Sequence, residues 1–244
     1  MFRIVSHNTC WFQGFPYEAL DPDAPHPEVL DRLTAIYRKL EADVVCLQEV
    51  QHAEMANIAL SRLETNAAFT PGGAYPHYGC ATYSNQAIQL AEGRLSVNPP
   101  QRAWQICRVG TLDSELIIAN VHLTSDRFLT KADAAQARME DLRALLSFDK
   151  PIDVICGDFN EGPREAAAIT LEHAGFIDAA IATGTELPST GVGKKRSDQI
   201  WIRKELEAAI TGFGATDWDV LEFLALGKKV LSDHLPLWLE LNRF

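Results

Sequence analysis

The chain has 244 residues, of which 47% are hydrophobic, enough to bury a sizeable core and too many for a disordered segment. Its 22 Lys and Arg stand against 33 Asp and Glu, a formal net charge of -11, which excludes a broad basic face gripping duplex nucleic acid by counterion release. An anionic substrate would therefore need a local cluster of cations or a metal ion. Five cysteines with no Cys-X-X-Cys pair point to buried free thiols in a reducing compartment, not to disulfides or a zinc–thiolate site.

Residues 2–7 predict a strand that ends at Asn8. The chain opens directly on this strand rather than on a signal peptide, and no stretch reaches the length of a membrane span. Both features lead to the expectation of a soluble, cytoplasmic protein. Residues 9–26 form a long loop carrying Trp11, Phe12, Phe15 and Tyr17 among several prolines. Loops of this length are often functional, and aromatics in one can stack on a base or ring. The tendency of aromatics to bury favours the plainer reading, that they pack the loop down.

An amphipathic helix is predicted over 27–40, with Val29, Leu33, Ile36 and Leu40 at helical spacing. Val44-Val45-Cys46-Leu47 is a buried strand ending in Gln48-Glu49, and 52–63 a second helix. Residues 67–76 read as a glycine-rich loop, followed by short strands over 77–83, 86–90 and 103–109. A stronger strand over 115–121 leads into His122, and Phe128, Ala132, Ala135, Met139, Leu142 and Leu146 mark a long helix. The apolar run 152–156 then stops at Gly157 and presents Asp158 and Asn160; Pro163 is expected in the first turn of a helix over 164–174. Beyond Phe176 regularity returns at 199–202 and in the alternating 235–241, where Pro236 favours an edge or a strand start. With no repeat and no low-complexity linker, 1–244 reads as one domain.

The polar residues fall in a pattern. Four strands end in Asn8, Glu49, His122, and Asp158 with Asn160, while two begin with Asp198 and with Asp233-His234. Gathering all of these at one rim requires the last two strands to run opposite to the first four, and so a mixed sheet. Each residue alone has a plainer explanation: Asn8, Asp158 and Asn160 are common cap types, Glu49 ends a strand at solvent, and His122 is a satisfied structural histidine. Together they form a chemical set. Glu49, assisted by Asn8 and Asp233, offers hard oxygen ligands suited to Mg²⁺. Asp158 and Asn160 can orient a water or steady phosphoryl oxygens. His234 held by Asp198 makes an acid–base pair, and His122 supplies a second proton or phosphate contact. The sum is metal-assisted attack of water on a phosphate ester.

These residues resemble the exonuclease–endonuclease–phosphatase superfamily, in family order over nearly the whole chain. The matching segments are Ser6-His7-Asn8, Leu47-Gln48-Glu49-Val50, Asn120-Val121-His122-Leu123, Gly157-Asp158-Phe159-Asn160, Arg196-Ser197-Asp198-Gln199-Ile200 and Ser232-Asp233-His234-Leu235-Pro236-Leu237. The resemblance implies an α/β (α+β) fold, a four-layer sandwich of two central mixed, largely antiparallel sheets flanked by helices, with Mg²⁺ or Mn²⁺ at the rim. It implies that Glu49 is the principal metal ligand, that Asn8 supports metal or water, and that Asp233 is an auxiliary ligand or a partner of His234. Asp158 would activate the nucleophilic water, Asn160 would contact phosphate, and Asp198 would orient His234. The histidine at 122 resembles the deoxyribonuclease, sphingomyelinase, deadenylase and tyrosyl-DNA phosphodiesterase branches rather than abasic-site endonucleases, which carry tyrosine there. Ser84-Asn85-Gln86-Ala87-Ile88-Gln89-Leu90 departs from the Gly-rich stretch of many members, in a region that shapes the substrate groove.

Local cations accompany the motifs: Lys194, Lys195 and Arg196 before Asp198, Lys228 and Lys229 before Asp233, and Arg127 and Lys131 after His122. As a set they suggest a phosphate funnel, with Arg127, Lys195 and Arg196 as substrate contacts. The expected partner is a phosphate-ester substrate, DNA or RNA or a nucleic-acid end. The competing readings are a small or lipid phosphate processed by the same core, and a binding module without catalysis. An extended cationic groove with exposed Trp11 or Phe12 would favour nucleic acid, and a closed pocket a small phosphate.

Overall fold

Apolar runs and helical apolar stripes sort the chain into alternating strands and helices. The computed structural model describes residues 1–17, 24–63, 65–73, 76–96, 102–111, 114–187, 189–192 and 196–242. The chain begins with β1 (Phe2–Asn8), α1 (Pro27–Lys39), β2 (Val44–Val50), α2 (Ala53–Leu63), β3 (Asn66–Thr70), β4 (Gly79–Ser84), β5 (Ile88–Leu95) and β6 (Ala103–Gly110). It continues with β7 (Glu115–His122), α3 (Lys131–Leu146), β8 (Val154–Asp158), α4 (Ala166–His173), β9 (Phe176–Asp178) and α5 (Ala179–Thr183). The last elements are β10 (Asp198–Arg203), β11 (Ile210–Ala215) and β12 (Leu237–Leu241).

The strands form two six-stranded sheets, in the orders β11-β12-β1-β2-β4-β3 and β5-β6-β7-β8-β10-β9. β1 runs parallel to β2 and β7 parallel to β8, while β12 is antiparallel to β1 and β10 antiparallel to β8. Both sheets are thus mixed, with the opposed final strands that a shared rim demands. Because β12 sits between β1 and β11, Pro236 marks a strand start and not a sheet edge.

Ile4, Val44, Cys46 and Leu239 of the first sheet face Ile118, Val154, Cys156 and Ile200 of the second in a closed apolar core. Val29, Leu33 and Tyr37, one turn apart on α1, cover Val5, Val45 and Leu47 on the outer side of the first sheet. Leu142 and Leu145 of α3 and Leu171 of α4 cover Ile106, Ile155 and Trp201 on the second. The result is an α/β sandwich of helices, sheet, sheet and helices. All five cysteines are free and buried within it. No helix among the described residues is long and apolar enough to cross a membrane.

A polar seam crosses the apolar gap between the sheets. Gln48 Nε2 donates to Asn120 Oδ1 at 2.8 Å, and Asn120 Nδ2 donates to the carbonyls of Leu47 and Ala81 at 3.1 and 3.0 Å. Gln105 Nε2 donates to Thr82 Oγ1 at 2.6 Å and accepts from Thr70 Oγ1 at 3.0 Å. This buried network, in which Gln48 Oε1 has no hydrogen-bond partner among the described residues, ties the two sheets to one relative placement.

Several elements differ from the sequence reading. Residues 67–70, expected as loop, belong to β3 through pairing with β4, although Asn-Ala-Ala-Phe-Thr has little intrinsic strand preference. β5 extends to Leu95. β11 is hidden by Gly212 and Gly214, which are needed because the Trp238 ring lies across them: an added Cβ would meet it at 3.1 and 2.7 Å. α4 starts only at Ala166, since the carbonyl of Gly162 closes a turn on Glu165 N at 3.2 Å; Pro163 lies in that turn and not in the helix.

Candidate active site

Glu49 owes its position to an irregularity in β2. Gln48 pairs with Cys80 and Val50 with Gly79, leaving Glu49 as the extra residue of a bulge, at φ 58°. A bulge of this kind re-aims a side chain out of the pleat. Thr9 Oγ1 holds it by donating to the carbonyls of Gln48 and Glu49 at 3.1 and 3.0 Å. Gly79 opposite must be glycine, because a Cβ would lie 2.7 Å from the Val50 carbonyl oxygen. Burial, reinforced by Asp233 and Asp158 and only partly offset by Arg102, raises the Glu49 carboxyl to about 7.

Past Asn8 the chain turns through Cys10, Trp11 and Phe12 at φ 49°, 53° and 55°. Three successive left-handed non-glycine residues cost roughly 1–2 kcal/mol each. Burial of Trp11 and Phe12, at 2% and 0% exposure, offsets that cost. These two aromatics therefore pack the loop down, while Tyr17 is half-buried beside them; residues 18–23 of the loop lie outside the described residues.

At the end of β8, Gly157 holds φ 146° with its α-carbon against β7, where a Cβ would fall 1.9 Å from the Val121 carbonyl oxygen. Asp158 follows. Its Oδ2 accepts from Asn8 Nδ2 at 3.2 Å, and its Oδ1 accepts from the backbone of Asn160 at 2.9 Å. Asn8 Oδ1 in turn accepts from Cys10 N at 3.1 Å, so both ends of that amide are engaged by the protein. Asn160 adopts φ 53°, and its side chain donates to the Leu123 carbonyl at 2.9 Å.

Asp198, at the head of β10, accepts from Thr190 Oγ1 at 2.6 Å and from His234 Nδ1 at 2.9 Å. His234 Nε2 faces Asp158 Oδ2 at 3.9 Å. Burial disfavours the His234 cation, but the carboxylates of Asp198, Asp233 and Asp158 more than reverse this and raise its pKa well above the usual value. The loop that carries His234 is pinned from behind. His7 Nε2 bonds the His234 carbonyl at 3.0 Å, Tyr37 bonds His7 Nδ1 at 2.6 Å, and Ser232 Oγ donates to the Asn8 carbonyl at 2.7 Å.

Glu49, Asp158, Asn160, Asp233 and His234 line one cavity of about 100 Å³. Trp11, Tyr17, Tyr78, Arg102 and Arg127 line it as well. Arg102 was not foreseen: it precedes β6 in a stretch without any motif, yet it is 5% exposed and lies over the Tyr78 ring at 4.0 Å. It stands 3.4 Å from Glu49 Oε1 and donates to His122 Nε2 at 2.5 Å. Cys10, also not foreseen, lines the same cavity.

Three expectations change. His122 is 1% exposed and is not among the residues lining the cavity; burial and then Arg102 push its pKa well below the usual value. The neutral ring accepts from Arg102 and so anchors that arginine, while its Nε2 also stands 3.6 Å from Asp158 Oδ2 and 3.9 Å from Glu49 Oε1. Arg196 is turned away, with its guanidinium on both oxygens of buried Asp178 at 2.7 Å. Lys228 is buried and donates to the Pro16 carbonyl at 2.9 Å. Lys194 and Lys195 lie outside the described residues, while Lys131 and Lys229 are exposed. Of the expected cations, Arg127 lines the cavity and donates to Tyr17 Oη at 3.1 Å.

The donor set fits a hard divalent cation. Glu49 is a desolvated carboxylate whose nearest protein cation is a long 3.4 Å away, and Asp233 faces the same space. Asp158, Asp198 and His234 also bring one ligand atom each within 4.8 Å of one another. Asp198 and His234 Nδ1 are already spent on each other, however, so the Glu49 side is the better place for an ion.

The model of the Endonuclease/Exonuclease/phosphatase family matches residues 5–234. No curated protein sequence matches the chain. Among solved structures, D. rerio TDP2 complexed with single-strand DNA product superposes with TM-score 0.69 at 19% identity, over 99% of this chain and 98% of that one. The human Nocturnin catalytic domain with bound sulfate gives TM-score 0.66 at 21% identity, over 100% and 93%. A mannosyl-6-phosphatase from Bacteroides thetaiotaomicron VPI-5482 gives 0.68 at 13%, over 99% and 100%. At these identities the likeness is one of fold.

Proposed function

Because the chain belongs to the endonuclease/exonuclease/phosphatase family, we propose that it is a Mg²⁺-dependent phosphoesterase, a single catalytic domain over 1–244, acting on a phosphodiester or phosphate of nucleic acid or of a nucleic-acid end. Members of this family are hydrolases of phosphoester bonds with a general need for divalent metal. The observation that carries the reading is one cavity holding two different devices. The cation-seeking carboxylates Glu49 and Asp233 line it together with Asp158 and with His234, which Asp198 holds.

Glu49 with Asp233 would hold Mg²⁺ or Mn²⁺, which would supply Lewis-acid charge to offset the negative charge of the phosphate. Asp158, fixed by the Asn8 amide and the Asn160 backbone, is aimed to accept a hydrogen bond from the attacking water. His234 carries a proton at Nε2 toward the phosphate, and Asp198 holds the ring in the required tautomer. Arg102 and Arg127 add positive charge to the cavity lining, which a protein of net charge -11 needs around an anionic substrate. Asn160 contacts the phosphate from the rim.

A second reading, a small phosphate as substrate, is favoured by the burial of Trp11 and Phe12 and by the modest volume of the cavity.

The test is hydrolysis of single-stranded and duplex DNA, RNA, a 5′-tyrosyl oligonucleotide and an inositol phosphate, each with Mg²⁺, Mn²⁺ or EDTA. The double variant Asp158→Asn, His234→Ala serves as blank. Metal-dependent turnover lost in the blank is the expected result. No turnover on any substrate, with no Mg²⁺ binding by calorimetry, would leave a binding module in its place.

A further inference from the structure

Asn160 lines the cavity beside Asp158 and His234 in an unusual backbone conformation, at φ 53°. Asparagine tolerates this left-handed region better than most residues, and a residue stays there when its surroundings hold it. Its N–H donates to Asp158 Oδ1 and its Nδ2 to the Leu123 carbonyl, both at 2.9 Å. Nδ2 carries two protons, so one is left, without a partner among the described residues, for an oxygen in the cavity. Behind the Asn160–Leu123 bond lies an ion pair that lines neither the cavity nor its mouth. Arg138 of α3 and Glu161 are 4% and 1% exposed. Arg138 Nε donates to Glu161 Oε2 at 2.7 Å, and its Nη1 donates to the Thr124 carbonyl at 2.9 Å. Thr124 follows Leu123 and Glu161 follows Asn160, so one guanidinium grips the residue next to each end of that bond. Glu161 reaches further. Its Oε1 accepts from Ala167 N at the start of α4, and its carbonyl accepts at 2.8 Å from Gln199, the residue after Asp198.

A buried ion pair is weak evidence for stability, because desolvation offsets its attraction and an apolar pair of like volume often serves as well. What an apolar pair lacks is direction, since the planar fork of an arginine fixes two acceptors at once. Here both acceptors belong to the loops that follow β7 and β8, the strands that bring His122 and Asp158 to the rim. We infer that Arg138 and Glu161 are positioning residues, which hold Asn160 in its left-handed conformation and aim its remaining amide proton at the phosphate. They act on turnover through Asn160 and touch neither substrate nor cation. This rests on the phosphoesterase reading above and adds two residues to it.

The experiment removes both charges with the double variant Arg138→Met, Glu161→Gln, whose new amide oxygen can still accept from Ala167 N. It is made in the wild type and beside Asn160→Ala. Steady-state kinetics use bis(p-nitrophenyl) phosphate and single-stranded DNA, with Mg²⁺ or Mn²⁺. In the wild-type background the double variant should lower kcat/KM by about 10–100-fold, the usual effect of losing an orienting partner. Beside Asn160→Ala it should cost less than about twofold, because the pair works through that side chain. Calorimetric Mg²⁺ affinity should stay within about twofold of the wild type, since Glu49 and Asp233 are untouched. Hydrogen exchange reads the same placement without turnover. The Asn160 backbone amide should exchange at least about tenfold faster in the double variant, while Ile118 and Ile155 inside the strands keep their protection. An equal kinetic loss in both backgrounds, or an unchanged exchange rate at Asn160, would make the pair merely structural and overturn the inference. Should the double variant fold poorly, Arg138→Lys, which keeps the charge but not the fork, replaces it in each comparison. Absence of metal-dependent turnover by the wild type would sink the phosphoesterase reading instead, and exchange at Asn160 would then decide by itself whether the pair holds that residue.

Discussion

The side-chain amide of Asn8, on β1 of one sheet, donates to the carboxylate of Asp158, on β8 of the other, at 3.2 Å. The contact crosses the mouth of the sandwich where the sheets come together. It uses the amide nitrogen on Asp158 while the amide oxygen is engaged by Cys10 N. In this geometry Asn8 sets the direction of a neighbouring carboxylate more than it offers itself to a cation.

Replacing Asn8 with alanine should therefore lower kcat by about 10–100-fold, the usual effect of losing a residue that orients a reacting group, with little change in KM. Steady-state kinetics on the best substrate would test this. A change confined to KM, or to metal affinity with kcat intact, would return Asn8 to the ligand set.

Metal affinity should depend on pH through Glu49, whose carboxyl is raised to about 7. A cation must displace that proton, so affinity should rise by about tenfold per unit below pH 7 and level off above. Without metal the sign is opposite for stability. The folded state binds the proton more tightly than the unfolded state, so stability falls as pH climbs from 4.5 to about 7. Calorimetric titration of Mg²⁺ at pH 6 and pH 8, and thermal melts without metal, should show both trends. Glu49→Gln should abolish them.

His7 makes a contrasting prediction. Burial lowers its pKa from 6.5 to about 3, so the ring is neutral in the folded protein while the unfolded chain protonates below 6.5. Unfolded molecules then bind the extra proton, and stability falls as pH drops from 6.5 toward 3, by about 1.4 kcal/mol per unit at the steepest. Other buried groups titrate in the same range, so the informative quantity is a difference. Denaturant melts of His7→Gln should show a shallower acid loss than the wild type. Equal slopes would mean that the ring does not resist protonation.

Gly157→Ala should be severe, because its Cβ would lie 1.9 Å from the Val121 carbonyl oxygen at a φ that L residues rarely adopt. A loss of more than about 2 kcal/mol in unfolding free energy, or an insoluble product, is expected. A variant as stable as the wild type would show that β7 and β8 can part there without cost.

The candidate site residues were readable in the sequence because strand ends are readable. A run such as Val44-Val45-Cys46-Leu47 announces burial, and the polar residue that stops it is forced to a rim. The opposed directions of β10 and β12 followed from the same placement and are seen in the pairing. Arg102 was not readable, since nothing in Pro99-Pro100-Gln101-Arg102 marks it; only the pairing of β6 with β7 carries it to His122 and Glu49. Arg196 misled for the complementary reason. Its proximity to Asp198 in sequence suggested the rim, but the carboxylate of Asp178 on β9, a strand too short to be foreseen, holds it elsewhere. Local pattern reported which residues end strands, while long-range pairing chose which cations stand beside them.

The sheet order has a consequence for how the protein is made. β1 leads the strand order, but its second neighbour in the first sheet, β12, is synthesised after every other described strand. Until β12 emerges, one edge of β1 therefore offers open hydrogen-bonding groups to any passing chain. Asp233 and His234, which immediately precede β12, arrive together with its closing strand. The event that completes the candidate site is thus the same one that seals the open edge of β1, and a chain stalled short of it lacks that site and is prone to aggregate.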